Sequence, residues 1–147
     1  PLVYGDSAPV LDALSPEARA EIEQRILSAP PLPVAEQMAR VDAVADAIAS
    51  SMVDVQYGPQ GLQWASPGLI EAIAEGSART GRRVHMHLME TPYQRAYADS
   101  HYPQGIVRYM KDIGLLTDRL TLAHCVWARP DELEMIAEAG ATISVNT

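Results

Sequence analysis

Val84-His85-Met86-His87-Leu88-Met89-Glu90 brings two imidazoles and a carboxylate together in an otherwise apolar run. Side chains alternate along a strand, so His85 and His87 share one face while Val84, Met86 and Leu88 share the other. Glu90 falls just past the strand end, where parallel α/β enzymes keep their chemistry. His87-Leu88-Met89-Glu90 is thus a His-x-x-Glu sequence at a strand exit. A neutral imidazole is a favoured metal ligand, and a carboxylate three residues on can reach a metal-bound water. Zinc would bring the pKa of that water towards neutrality, and the glutamate would carry its proton to the leaving group. A second strand-like run, Leu120-Thr121-Leu122-Ala123, delivers His124. Two strands ending in histidine point to a metal-centred hydrolytic site. The competing reading is a buried histidine bonded to a backbone carbonyl, with Glu90 an acid at a helix start.

Other residues are weaker candidates. His85 lies one pleat deeper than His87 and reads as a supporting or core histidine before a second ligand. Cys125, beside His124, has no CxxC pattern and no cationic neighbours, so it reads as a small buried hydrophobe before a thiolate ligand or nucleophile. Gln63 and Trp64 sit on a Gly- and Pro-containing loop, Gly58 to Trp64, where an amide and an indole could grip a flat polar substrate. Loop packing explains that pair equally well. Tyr93, Tyr97, His101 and Tyr102 could line the same mouth, but helix packing is the better reading. Neither GxGxxG nor GxxxxGK occurs, which excludes those phosphate loops.

These residues need strands and helices to place them, and the chain supplies both in alternation. Ser15-Pro16-Glu17 is a helix start, running to about Ser28 and stopped by Pro30-Pro31. A second helix runs from Pro33-Val34 to about Ser50, with Met38, Val41, Val44, Ala45 and Ile48 at helical spacing. Met52 to Tyr57 reads as a buried strand, and Leu2-Val3-Tyr4 as a short strand or a loop. Ser66-Pro67 caps a helix with one apolar stripe, Leu69, Ile70, Ile73 and Ala74. Gly81-Arg82-Arg83 then turns into the strand at Val84. A polar and aromatic stretch follows, Thr91 to Gln104. A helix runs from about Gly105 to Ile113, Arg129-Pro130-Asp131-Glu132 opens another that Gly140 ends, and Thr142 to Val145 is the last strand. Repeated strand-helix order means a parallel α/β fold.

The chain has 147 residues, 48% hydrophobic and 20% charged, which is the composition of a globular domain. Its net charge of −8 disfavours nucleic acid and anionic membrane as partners. A single cysteine excludes an internal disulfide and fits a reducing, cytoplasmic compartment. No apolar run is long enough to span a bilayer as a helix. Four or five βα units do not close an eight-stranded barrel. Residues 1–147 therefore read as one domain, either an open sheet or an arc of a larger barrel. The start at Pro1 and the end in mid-strand at Thr147 favour the arc.

The stretches Tyr57-Gly58-Pro59, Val84 to Thr91, Leu122 to Val126 and Ala139 to Asn146, in that order, resemble the amidohydrolase superfamily, in its cytosine-deaminase-like and triazine-hydrolase-like branch. The resemblance implies a (β/α)8 TIM barrel, of which this chain would hold roughly the fourth to seventh strands. It implies a divalent metal, zinc first, with iron or manganese as alternatives. By it His87 would be the metal ligand of the fifth strand, and Glu90 the proton shuttle. His124 would polarise the attacking water or the substrate, or be a ligand in two-metal members. Gln63, on the fourth-strand loop, would contact the substrate. The family's first-strand His-x-His and eighth-strand aspartate have no counterpart here.

The expectation is a hydrolase acting on a carbon–nitrogen bond of a small heterocycle or cyclic amide, deaminase-like. An alternative is an inactive partial barrel with no intact metal site, whose unpaired strand edges predict a homo-oligomer. A third reading is an unrelated α/β binding module whose histidines are merely packed.

Overall fold

The computed structural model describes residues 14–27, 32–48 and 50–146. The proposed segment Leu2-Val3-Tyr4 and the prolines at 30 and 31 lie outside them. Three helices come first: α1 (Pro16–Leu27), α2 (Val34–Ala47) and α3 (Pro67–Thr80). The sequence starts of α1 and α3 hold, since Ser15 Oγ accepts from the Ala18 N–H at 3.2 Å and Ser66 Oγ from the Leu69 N–H at 3.3 Å. Gly81 closes α3 in a left-handed conformation, φ 75°, which a side chain would disfavour. The chain then alternates: β1 (Val84–Leu88), α4 (Pro92–His101), α5 (Ile106–Asp112), β2 (Leu120–His124), α6 (Pro130–Glu138) and β3 (Thr142–Ser144).

The three strands form a parallel sheet in the order β1-β2-β3. Register pairs Val84 with Leu120, Met86 with Leu122 and Leu88 with His124, so β1 and β2 end level. Val84, Met86, Leu88, Leu120 and Leu122 are all at most 1% exposed, packed in one core with Ile70, Ile106, Met110 and Ile136 of the helices. Each such side chain contributes roughly 1.5–3 kcal/mol by leaving water. The opposite face carries His85 and His87, of which His85 is exposed and His87 half-buried. This is the parallel α/β arrangement of a barrel wall, three strands wide and open.

Two elements depart from the sequence reading. Residues 52–57 are not a buried strand: Met52 is 88% and Val53 55% exposed. Only Tyr57 bridges to Val84, in parallel, through Tyr57 N–H to Arg83 O and His85 N–H to Tyr57 O, each 2.9 Å. His87 N–H adds a bond to Gln60 O at 3.1 Å. The segment thus follows β1 on its inner side, and among the described residues no strand pairs its outer side. An apolar run without that neighbour has nothing to be buried against. The stretch from Thr91 to Gln104 is the other departure, because most of it is α4. Thr91 Oγ1 accepts from the Gln94 N–H at 3.3 Å, with Pro92 opening the helix. Ala98 is its one buried residue, so no apolar stripe announced it.

Candidate active site

The site forms where β1 and β2 leave the sheet. Three non-glycine residues there adopt left-handed backbone: Met89 (φ 48°), His124 (φ 76°) and Cys125 (φ 53°). Such conformations cost of order 1–3 kcal/mol each and persist only where neighbours enforce them. Here the exits enforce one another, Cys125 N–H donating to Leu88 O at 2.9 Å and Trp127 N–H to Met89 O at 3.0 Å.

The strain redirects side chains. Strand alternation would send His124 to the core face with Leu120 and Leu122. Rotation about its own N–Cα bond brings the imidazole to the His87 side instead. At Met89 the reverse happens: the thioether goes into the core, 1% exposed, and Glu90 turns towards the histidines. His124 Nε2 lies 3.0 Å from His87 Nδ1 and 3.6 Å from Glu90 Oε1. The imidazole rings stack at 5.2 Å between centroids with 18° between planes. His87, Glu90 and His124 offer ligand atoms all within 4.8 Å of one another. The His124 side chain is 14% exposed and that of Glu90 42%, so the pocket is sheltered yet open to water.

These donors fit a divalent metal. Two imidazole nitrogens on one tetrahedral zinc, at about 2.0–2.1 Å each, stand roughly 3.3 Å apart. The observed 3.0 Å needs only a small opening to reach that spacing.

The other sequence candidates fall in different places. Trp64 stands edge-on to His87, centroids 6.4 Å apart at 78°, and so walls the site. Gln63 is 9% exposed, turned inward over Gly61, and its buried Nε2 has no hydrogen-bond partner among the described residues. A Cβ on Gly61 would lie 3.0 Å from Gln63 Oε1 and 3.1 Å from the Trp64 ring, so glycine lets both fold over this turn. His85 is exposed and outside the trio, which corrects its reading as a core histidine. Cys125 is 7% exposed, and burial, aided by the charge of Glu132, pushes its thiol up to about 11. It is a packed, protonated thiol, as its surroundings in sequence suggested. Tyr97 stacks on His101 at 4.0 Å and Tyr102 packs tilted against Tyr109 at 4.9 Å, which is helix packing, while Tyr93 is 84% exposed. Arg95 and Glu132, not singled out in the sequence, form a buried ion pair behind the exits. The acid three residues after Arg129 was legible as a helix-start residue, but nothing in the sequence announced its partner.

Among known proteins, the chain aligns with 5'-deoxyadenosine deaminase of Methanosarcina barkeri, 29% identical over 98 residues, covering 67% of this chain and 23% of that protein. A 5-methylthioadenosine/S-adenosylhomocysteine deaminase of Nitratidesulfovibrio vulgaris is 31% identical over 86 residues, 58% of this chain and 20% of that protein. Among solved structures, triazine hydrolase from Arthrobacter aurescens superposes with a TM-score of 0.71 at 29% identity, covering 78% of this chain and 26% of that one. Atrazine chlorohydrolase from Arthrobacter aurescens TC1, complexed with zinc, gives 0.70 at 29% identity over 77% of this chain and 26% of that one. The chain therefore spans about a quarter of the length of these relatives. The amidohydrolase family profile matches residues 12–147, helices and strand exits together. With an open parallel sheet and a family profile that covers most of its length, the chain belongs to the amidohydrolase family.

Proposed function

We propose that this chain carries part of the catalytic centre of a metal-dependent hydrolase that cleaves a carbon–nitrogen bond of a heterocycle or cyclic amide, in the manner of a deaminase. The observation that supports it is the convergence of His87, Glu90 and His124 from two strand exits. His87 would hold the metal, with zinc favoured because a structural neighbour is complexed with it. The metal, when bound, supplies Lewis-acid activation of water. Glu90 would take a proton from the attacking water and return it to a ring nitrogen or leaving amine. His124, 3.6 Å from that carboxylate, orients the water or polarises the substrate carbon's substituent. Trp64 offers a flat wall beside His87. It also borders a groove of about 450 Å³ that reaches Pro33, Gln37, Gln60 and Leu69. Gln63 Nε2 is an uncommitted donor on the same loop. Planar nitrogen heterocycles suit such a wall, and the relatives are named for adenosine derivatives and triazines.

A second reading is favoured by the exposure of His85 and by a trio that is small for a metal shell: the isolated chain folds as an inactive arc that self-associates through its sheet edges. Metal analysis of the full-length gene product decides the main reading. Bound zinc, iron or manganese that falls away in His87→Ala supports it. A metal-free product after purification in chelator-free buffer defeats it. Sedimentation and activity of the isolated chain address the second reading, which an active monomer would end.

A further inference from the structure

We propose that Arg95 and Glu132 are a positioning pair for this site: their buried ion pair holds the two left-handed strand exits together, so that Glu90 and His124 converge on His87. The inference rests on the functional reading of that trio.

Arg95 Nη1 lies 2.9 and 2.8 Å from the two carboxylate oxygens of Glu132, with the side chains 11% and 3% exposed. The pair bridges the helices that follow the two exits, Arg95 on α4 and Glu132 on α6. Each end grips an exit. Arg95 Nη1 is also 2.8 Å from Sδ of Met89, the left-handed residue immediately before Glu90. Glu132 Oε2 accepts from the backbone N–H of Arg129 at 2.8 Å, closing the turn that leads away from His124 and Cys125. Asp99 ties the two sides again, accepting from Arg95 Nη2 at 2.6 Å and from Arg129 Nη2 at 2.8 Å. Buried ion pairs add little net stability over apolar side chains of the same volume. A bridge whose contacts lie against a strained exit residue and the turn after the other exit accounts for what stability alone does not. Groups that orient metal-site residues from behind typically change metal affinity 10–100-fold when removed.

The test replaces both partners, Arg95→Met with Glu132→Leu, which leaves no unpaired charge behind. Two readouts are taken: zinc affinity by competition with a chromophoric chelator, and the NOE between His87 and His124 ring protons in the metal-free chain. The expected result is a cooperatively melting variant with that NOE lost and zinc bound at least tenfold more weakly. A control pair at a distance, Arg82→Met with Asp42→Leu, leaves both readouts at wild-type values. If the double variant does not fold, Glu132→Gln keeps the shape and the Arg129 contact while removing the charge, and the same readouts apply. An NOE retained with zinc affinity within twofold of wild type overturns the proposal, as does a wild-type chain without the NOE. A wild-type chain that binds no zinc but loses the NOE in the variant upholds the positioning role and defeats the metal reading alone.

Discussion

Glu132→Leu on its own should be among the most destabilising single changes on the helical side of this chain. The mutation strands Arg95, whose side chain is 11% exposed, beside an apolar leucine. Breaking a buried pair from one side costs about 3–5 kcal/mol, because the surviving charge stays out of water. Asp99 still holds Arg95 Nη2 but is itself 41% exposed, so it offsets a modest part of that cost. The lost acceptor for the Arg129 N–H adds about 1 kcal/mol, as for other helix-start contacts. A net loss near 3–4 kcal/mol corresponds to a fall in Tm of roughly 6–16 °C for a domain of this size. Adding Arg95→Met should recover most of it and leave about 1 kcal/mol, so the two sites should couple by about 2 kcal/mol or more. Urea denaturation followed by far-UV circular dichroism reads this as midpoints moving at constant slope. A single variant that loses less than about 1 kcal/mol, or a double variant as unstable as the single, would refute the reasoning.

Leu122→Ala, at the centre of the middle strand and fully buried, should cost about 2–5 kcal/mol in the same assay. Its failure to destabilise would mean that this sheet face does not form the core. The Cys125 thiol, held up at about 11, should resist iodoacetamide at pH 8 in the native chain and react promptly once the chain is unfolded. The same shift makes stability fall as pH rises from about 9 to 11, since over that range the unfolded thiol has ionised while the folded one keeps its proton. A native thiol titrating near 8.5 would contradict its burial.

Much of this was legible in the residues, for identifiable reasons. Ser-Pro starts set α1 and α3, apolar runs set β1 and β2, and Pro130 and Gly140 bound α6. Residues 52–57 misled because apolar content marks a strand only when neighbours exist to cover it, and Met52 has none among the described residues. The helix α4 was hidden because its buried contribution is a single alanine, and only Thr91-Pro92 betrayed it. Arg95 and Glu132 could not be paired from sequence, being 37 residues apart on separate helices.

The convergence of His87, Glu90 and His124 was expected for a reason that the structure shows to be incomplete. Alternation along β2 counts His124 with Leu120 and Leu122, and its register partner Leu88 is a core residue. Had both strands kept regular geometry to their ends, His124 would face the helices and His87 the open side of the wall, leaving the two imidazoles on opposite faces of the sheet. They meet because His124 and Cys125 turn left-handed, and Glu90 joins them because Met89 does. None of these three residues is glycine, so no residue type marks the turns. What makes them tenable is the pair of backbone bonds between the exits and the ion pair behind them. The histidines and the glutamate of this family member are therefore legible in its sequence, but their convergence is written in residues outside the trio.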